Sequence, residues 1–463
     1  MNGESVTPNA KSLVKDLRLK GSCNYSTVIP FGKLIYKRLL LIMHSSFPSG
    51  IWGMYLRMSI LLAPLLRLHL KRRIAKGKEE SSRLPERRGY SDVIRPNGSL
   101  IWLHAVGLGE VMALRGFILL LAKYSPESYF LVTSSTKASA QVFKENLPPR
   151  TIHQYFPLDV PVYCERFLEH WKPNLCIWSE QEIWPGMAWY NFEAGIPQVL
   201  ISARMNKKSY HSRSRFKSMF EKIYRTFPII SAQDDKSANY IRKLGGHAKV
   251  DGSLKSIAPP LHCVESELRQ RKIQIGDRPV LCLASSHEAD EQIVLNALGS
   301  IPENMLIVLV PRKIERSRLI RETIEDMDVS VSVGDQCIDS NIRVHLVDKF
   351  GELGIWYRMC SVAFVGGTFD ETQGHNPWEA IHLNRPVLHG PNINNFKHDY
   401  AQLDDRRLSH LILNSDDLAD YIELTCNQTS AQQESETFNP LLTDLEKLAT
   451  DILSLMDDDR VGN

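Results

Sequence analysis

The stretch "GGTFDETQGHNPWEA", Gly366–Ala380, follows the apolar run Val362–Val365 and sets Glu379 just inside a segment that reads as a helix. A carboxylate there has two uses. With Asn376 as N-cap and Pro377 at the first helical position, it can accept from free first-turn amides. Alternatively it can hold two ribose hydroxyls of a nucleotide, because glycines admit a ligand to the backbone and a helix N-terminus draws phosphate. "HAVGLGEVMALRG" puts Gly107, Gly109 and Glu110 at another strand-to-helix turn. Glu110 is either an acceptor facing a cleft or a first-turn carboxylate favoured by the helix dipole. "CIWSEQEIWPGMAW" ends an apolar run with Glu180 and Glu182 ahead of Pro185. Beside Trp178 and Trp184, these carboxylates read as a sugar-contacting wall or as ordinary capping and solvent residues. Lys255 follows the last strand-like run of the first half, in "VDGSLKS". Further polar strand ends carry Ser285, Ser286, His287 and Glu288 ("CLASSHEADE"), Arg312 ("VLVPRKIER"), and Gly351 and Gly354 ("FGELGIWYR").

Positioning these residues requires two alternating series. Strand-like runs at Leu100–Val106, Tyr129–Thr133, Leu175–Trp178, Val199–Ser202, Ile229–Ala232 and Lys249–Asp251 are separated by helical patterns. After the Pro-containing Leu254–Pro260 the alternation restarts, at Val280–Ala284, Leu306–Val310, Ile342–Leu346, Val362–Val365 and Pro386–Leu388. Tandem βαβ series predict an α/β protein of two doubly wound, Rossmann-like domains facing a cleft, with ligands at the carboxyl ends of the strands. The expected division is an extension without structure over 1–34, a basic amphipathic segment over 35–90, and domains over 91–257 and 258–463. A last helix, Leu441–Leu455, is expected to pack back on the body.

The 463 residues, 43% hydrophobic and 24% charged, suit a globular core. Residues 1–90 hold 17 Lys and Arg against 5 Asp and Glu, a balance of +12, and the remainder holds 39 against 48, or −9. A basic head implies an anionic surface as partner. Its basic residues are interleaved with aliphatic runs and not with stacking aromatics, so nucleic acid is not expected. The eight cysteines are scattered, without a CxxC, and read as reduced core residues. No metal or cofactor is expected. Asp326–Asp328 and Asp457–Asp459 follow no strand, and His-x-x-x-His spacing is absent. Arg312 and helix dipoles can balance a leaving phosphate without a metal.

In the head, "IWGMYLRMSILLAPLLRLHL" (51–70) is apolar but carries Arg57 and Arg67, and Lys71, Arg72, Arg73, Lys76 and Lys78 follow. That pattern suits a segment lying in a membrane interface, with a helix packed on the body as the alternative reading. The apolar run starts too late for a cleaved signal peptide.

Taken in order, "KGKEESSRLPERRG" with Lys78 and Arg87, then "HAVGLGE", "FPLDVP", "EQEIWP", "SARMNKKS", "GSLK", "SSHEADE", "VPRKIER", "GELG", "FVGGTF", "GHNPWEA" and "NFK" resemble the motif series of the Kdo (3-deoxy-D-manno-octulosonic acid) transferases of lipopolysaccharide synthesis, from about Ile35 to the last helix. The resemblance implies a B-type glycosyltransferase fold. It also implies inverting transfer of Kdo from CMP-Kdo to a lipid A precursor, at the cytoplasmic face of the inner membrane. It implies Glu110 as general base, with Glu180 and Lys255 as transition-state stabilisers. It implies CMP contacts at Pro311, Arg312, Phe350, Gly351, Glu352, Asn376, Pro377, Trp378 and Glu379. Ser202 departs from the family's usual Asn, Lys313–Ile314 from its His-Pro, and Phe350 from its Met. Rival readings are a B-type enzyme or epimerase using a nucleoside diphosphate sugar, and an inactive scaffold at a membrane surface.

Overall fold

The computed structural model describes residues 47–145, 147–426 and 442–456. The expected 1–34 extension, Cys23, Leu441 and the Asp457–Asp459 motif lie outside them. Two seven-stranded sheets, parallel throughout, carry the body. The first contains β1 (Leu100–His104), β2 (Tyr129–Ser134), β3 (Thr151–Tyr155), β4 (Leu175–Ser179), β5 (Gln198–Ala203), β6 (Ile230–Ala232) and β7 (Ala248–Val250). Its order is β3-β2-β1-β4-β5-β6-β7. The second contains β8 (Val280–Ser286), β9 (Leu306–Pro311), β10 (Val331–Val333), β11 (Val344–Leu346), β12 (Val362–Val365), β13 (Val387–His389) and β14 (Ser409–Leu411). Its order is β10-β11-β9-β8-β12-β13-β14.

The helices used below are α1 (Ile51–Ala75), α2 (Leu108–Tyr124), α3 (Pro161–Trp171), α4 (Pro185–Glu193), α5 (Lys217–Tyr224), α6 (Glu288–Ala297), α7 (Leu353–Met359), α8 (Trp378–Ile381) and α9 (Leu442–Ser454). Strands β1, β4, β8, β9 and β12 are buried on both faces, which is why they read as continuous apolar runs. Each sheet reverses its winding once, between β1 and β4 and between β8 and β12. Such switch points leave crevices at the strands' carboxyl ends. The turns after β1 and β4 lead to Glu110, in the first turn of α2, and to Glu180, and those after β8 and β12 lead to His287 and through Gly366–Pro377 into α8.

Three strands, β3, β10 and β14, are absent from the sequence-based expectation. All three are sheet edges. Their sequences, Thr-Ile-His-Gln-Tyr, Val-Ser-Val and Ser-His-Leu, mix polar and apolar residues because an edge is only partly covered. Trp178 is also a correction. It is fully buried in the first core and donates from Nε1 to Gln198 Oε1 at 3.1 Å, so it offers no wall to a sugar.

Helix α1 lies along the first domain against α3, α4 and α5. Trp52 Nε1 donates to Pro185 O at 2.8 Å, the Tyr55 hydroxyl donates to Asp159 Oδ2 at 2.7 Å, and Arg67 Nε donates to the Tyr163 hydroxyl. Arg57 sits 5.6 Å over the Phe47 ring. The helix is apolar on two faces. Trp52, Leu56, Ile60 and Ala63 are buried, whereas Met54, Met58, Leu61, Leu62, Leu65 and Leu68 are exposed. By length and composition it is the one described helix apolar enough to cross a membrane, yet a third of its most apolar window is buried against the protein.

The domains meet through a 3-10 turn, Leu254–Ile257, which lies against α2. Gly116 of α2 makes that approach possible, since a Cβ there would stand 1.9 Å from the Ile257 carbonyl oxygen. Helix α9 packs in the same core as α2, with Lys123 Nζ 2.7 Å from Glu446 Oε1.

Candidate active site

Glu110 is the third residue of α2, after Gly107 at the N-cap. Its Oε2 accepts from the Val106 amide at 2.8 Å and the Gly107 amide at 3.3 Å, so the side chain reaches back to the backbone ahead of the helix. The first-turn role foreseen as one alternative for Glu110 is thus present, and the same carboxylate stands beside the switch-point crevice. Its negative charge raises the pKa of both Glu180 and Glu182.

Glu180 follows β4 with φ of 58°, in the left-handed region that costs a non-glycine residue energy. Its carboxyl is buried, and that desolvation pushes its pKa up. Lys255 and Arg204 pull it back and Glu110 adds to the rise. Glu182 is raised too, mainly by burial, with Arg213 opposing.

Lys255 occupies the interdomain turn, with Nζ 4.7 Å from the centre of the Phe396 ring. Its charge acts on Glu180 of the first domain and on Glu379 and Asp399 of the second. One cation therefore serves carboxyls from both sheets. Arg204 Nη2 donates across the same gap to Asn395 Oδ1 at 3.2 Å.

In the second domain, Pro311 ends β9 and Arg312 is exposed just beyond it, its amide donating to Ser286 O at 3.1 Å. The Arg312 charge acts on His375 and Glu379. Phe350 is 76% exposed, Gly351 has φ of 95°, and Glu352 precedes α7 with a pKa raised by burial.

Helix α8 begins at Trp378, one residue later than the N-cap pattern predicts. Asn376 still acts from outside it, its Oδ1 accepting from the Trp378 amide at 3.2 Å. The Glu379 carboxylate does not cap. Its hydrogen-bond partner among the described residues is Asn376, whose Nδ2 donates to Oε1 at 3.3 Å. Burial raises the Glu379 pKa, against Asn376, Lys255 and Arg312. Trp378 is only 1% exposed, with Nε1 donating to Asp399 Oδ1 at 2.7 Å, so its ring presents no face to a ligand.

Asp290 and Asp370 went unremarked in the sequence, and His287 was named there without its partners. Asp290 of α6 accepts from the Gly367 and Thr368 amides at 2.6 and 3.2 Å and from the His287 amide at 2.9 Å, which fixes the glycine loop. His287 and His375 face each other, Nε2 to Nε2 at 3.0 Å, and His287 Nδ1 lies 3.1 Å from Asp370 Oδ2. Burial, His287 and Arg312 hold His375 down at about 4. Asp290 was legible as a third-position helix carboxylate, placed to reach back to the amide of His287. The histidine pairing was not, because 88 residues separate the partners. Among the described residues no group of three or more His, Cys, Asp or Glu is placed to hold a metal ion.

Residues 82–258 match the family described as 3-Deoxy-D-manno-octulosonic-acid transferase (kdotransferase). A 3-deoxy-D-manno-octulosonic acid transferase of Rickettsia bellii is 31% identical over 352 residues, 73% of this chain and 82% of its own. The enzyme of that name from Haemophilus influenzae is 29% identical over 360 residues, covering 75% of this chain and 84% of its own. Among solved structures, the UDP-GlcNAc 2-epimerase of Neisseria meningitidis superposes with a TM-score of 0.52 over 77% of this chain and 99% of that one. At 14% identity that likeness shows the fold alone, two facing Rossmann-like domains of the B-type glycosyltransferase class. Shared sequence across four-fifths of the Rickettsia enzyme carries more than fold, and the chain belongs to the Kdo transferase family of glycosyltransferases.

Proposed function

We propose that the protein transfers Kdo from CMP-Kdo to a lipid A precursor, lipid IVA, releasing CMP with inversion at the anomeric carbon. The observation that carries this reading is the position of Lys255, in the turn between the domains beside the Glu110–Glu180 crevice, with its ammonium 4.7 Å from the centre of the Phe396 ring of the second. Residues 91–257 would bind the acceptor and 258–463 the donor, with the 35–90 segment at the cytoplasmic face of the inner membrane.

In this mechanism the acceptor hydroxyl donates its proton to Glu110 as its oxygen attacks the anomeric carbon of Kdo. The bond from that carbon to the CMP phosphate oxygen breaks on the opposite face, which inverts the configuration. A positioned carboxylate base contributes about 10²–10⁴-fold. Arg312 and Lys255 balance the leaving phosphate and the Kdo carboxylate, and Glu180 stabilises the cationic sugar of the transition state. Glu379 and Asn376 hold the cytidine ribose, with Pro311 and the Phe350–Glu352 turn flanking the nucleotide. The test is mass spectrometry of lipid IVA incubated with CMP-Kdo and purified protein. Addition of one or more Kdo masses with stoichiometric CMP is expected, and an unchanged acceptor alongside intact CMP-Kdo would overturn the reading.

A further inference from the structure

Between α1 and the first domain lies a cavity of about 560 Å³. Its walls are mostly apolar, with Leu62, Leu66 and Leu70 of α1 facing Phe156 and Leu158, and with Tyr55, Ser59 and Asp159 among the polar residues that line it. One end reaches Val106, whose amide donates to Glu110 at 2.8 Å. Arg73 and Arg87 share one carboxylate, Glu79, at 2.9 and 3.0 Å; Arg87 is buried, with its other donors on Phe156 O and Ser135 O, whereas the Arg73 side chain is 34% exposed and is the cation presented at the cavity. The exposed row Met54, Leu61, Leu65 and Leu68 continues the apolar surface outward along α1.

We infer that this cavity takes one acyl chain of the anionic glycolipid acceptor, whose phosphate rests at Arg73 while its sugar hydroxyl lies at Glu110. The inference rests on the transferase reading for the acceptor's identity. Its own content is the place of the chain. The volume is within the range of about 300–1,000 Å³ usual for small-molecule sites, and an apolar lining with a few charged groups at one end is the matching chemistry. The cavity's contact with Val106 ties lipid anchoring to the loop that holds the base. The acceptor is thereby measured from its acyl end, and the base meets one hydroxyl.

The test uses the full chain and a glucosamine phosphate bearing a long acyl chain with a diazirine, photolysed and mapped by mass spectrometry. Labels are expected on Leu66, Phe156 and Leu158. Leu62→Trp and Leu66→Trp, which fill the cavity from partly exposed positions, should each cut that labelling about tenfold. Leu61→Trp, on the exposed row of the same helix, should leave it unchanged. Unlabelled acylated disaccharide phosphate should compete, and phosphatidylglycerol vesicles should not. Labels confined to Met54, Leu61, Leu65 and Leu68, or equal competition by phosphatidylglycerol, would overturn the inference in favour of a bilayer contact. Kdo transfer is assayed on the same samples. Transfer without cavity labelling defeats this inference alone, and cavity labelling without transfer by the wild type defeats only the transferase reading.

Discussion

The Lys255 ammonium lies 4.7 Å from the centre of the Phe396 ring, so the residue that joins the two domains is seated on an aromatic face belonging to the second. Such contacts contribute about 0.5–2 kcal/mol. Phe396→Ala should therefore lower transfer by about 3- to 30-fold through misplacement of Lys255. Lys255→Ala should lower it by about 10²-fold or more, as expected for loss of transition-state charge balance. CMP affinity by calorimetry should change much less than turnover in both. Wild-type turnover in Lys255→Ala would remove the lysine from the chemistry.

Glu110 has a cap to hold as well as a proton to take, and two substitutions separate these tasks. Glu110→Gln keeps an oxygen for the Val106 and Gly107 amides, so its thermal stability should stay near wild type while turnover falls about 10²–10⁴-fold. Glu110→Ala should in addition lose about 1 kcal/mol of stability, the usual cost of a lost cap. If Gln retains activity, the carboxylate is structural only.

Glu379 makes the converse case. No helix amide among the described residues bonds its carboxylate, so Glu379→Ala should change stability little. CMP binding should weaken by about 1.5–3 kcal/mol, the scale for hydrogen bonds to a charged group. Titration calorimetry reads the second effect and thermal melting the first. Unchanged affinity would take Glu379 out of the nucleotide site.

Glu180 predicts a pH dependence. Burial raises its folded pKa above the ordinary value of 4.5, so the folded state holds a proton that the unfolded chain releases. The stability tied to that proton is present below 4.5 and is lost as pH rises through the unfolded value toward the folded one. Glu180→Gln stays neutral at every pH. It should melt higher than wild type at pH 7, and the difference should vanish below about pH 4.5. A difference that persists at low pH would point to packing instead of ionisation. Turnover at pH 7 should fall in the same variant.

Ser202 sits at φ of 48°, at a register shift where β5 pairs with β6. Its Oγ accepts from the Leu254 amide at 3.4 Å, just before Lys255. A left-handed conformation costs most L-residues roughly 1–2 kcal/mol, and asparagine tolerates it better. Ser202→Asn should raise stability by about 0.5–1 kcal/mol, read from chemical denaturation, and a loss would show that the Leu254 contact outweighs the strain.

The interior strands and the order of the loops were legible because a strand buried on both faces must be apolar throughout. The three edge strands were not, since Thr151, Gln154, Ser332 and Ser409 break the apolar runs by which strands are read. The site residues could be named but not paired. Nothing local says that Glu110 and Glu180 flank one switch point, or that His375 meets His287. The left-handed backbone at Glu180, Ser202 and Ser285, close to three strand ends, left no trace either, because glycine, the residue that would betray it, is absent from those positions.

The glycine at position 116 has a mechanical meaning. A carbonyl seated directly on a helix backbone leaves the connection no room to pivot there. Any widening of the gap between the domains must then be absorbed beyond Ile257, in Ala258–Pro259–Pro260, and where the chain returns to α9, which stays packed with α2. Lys255 would stay behind with Glu110 and Glu180 while Phe396, Arg312 and Glu379 swing away as a unit. Letting spent nucleotide out and switching the chemistry off would then be one movement, and an open enzyme could neither hold donor nor waste it on water.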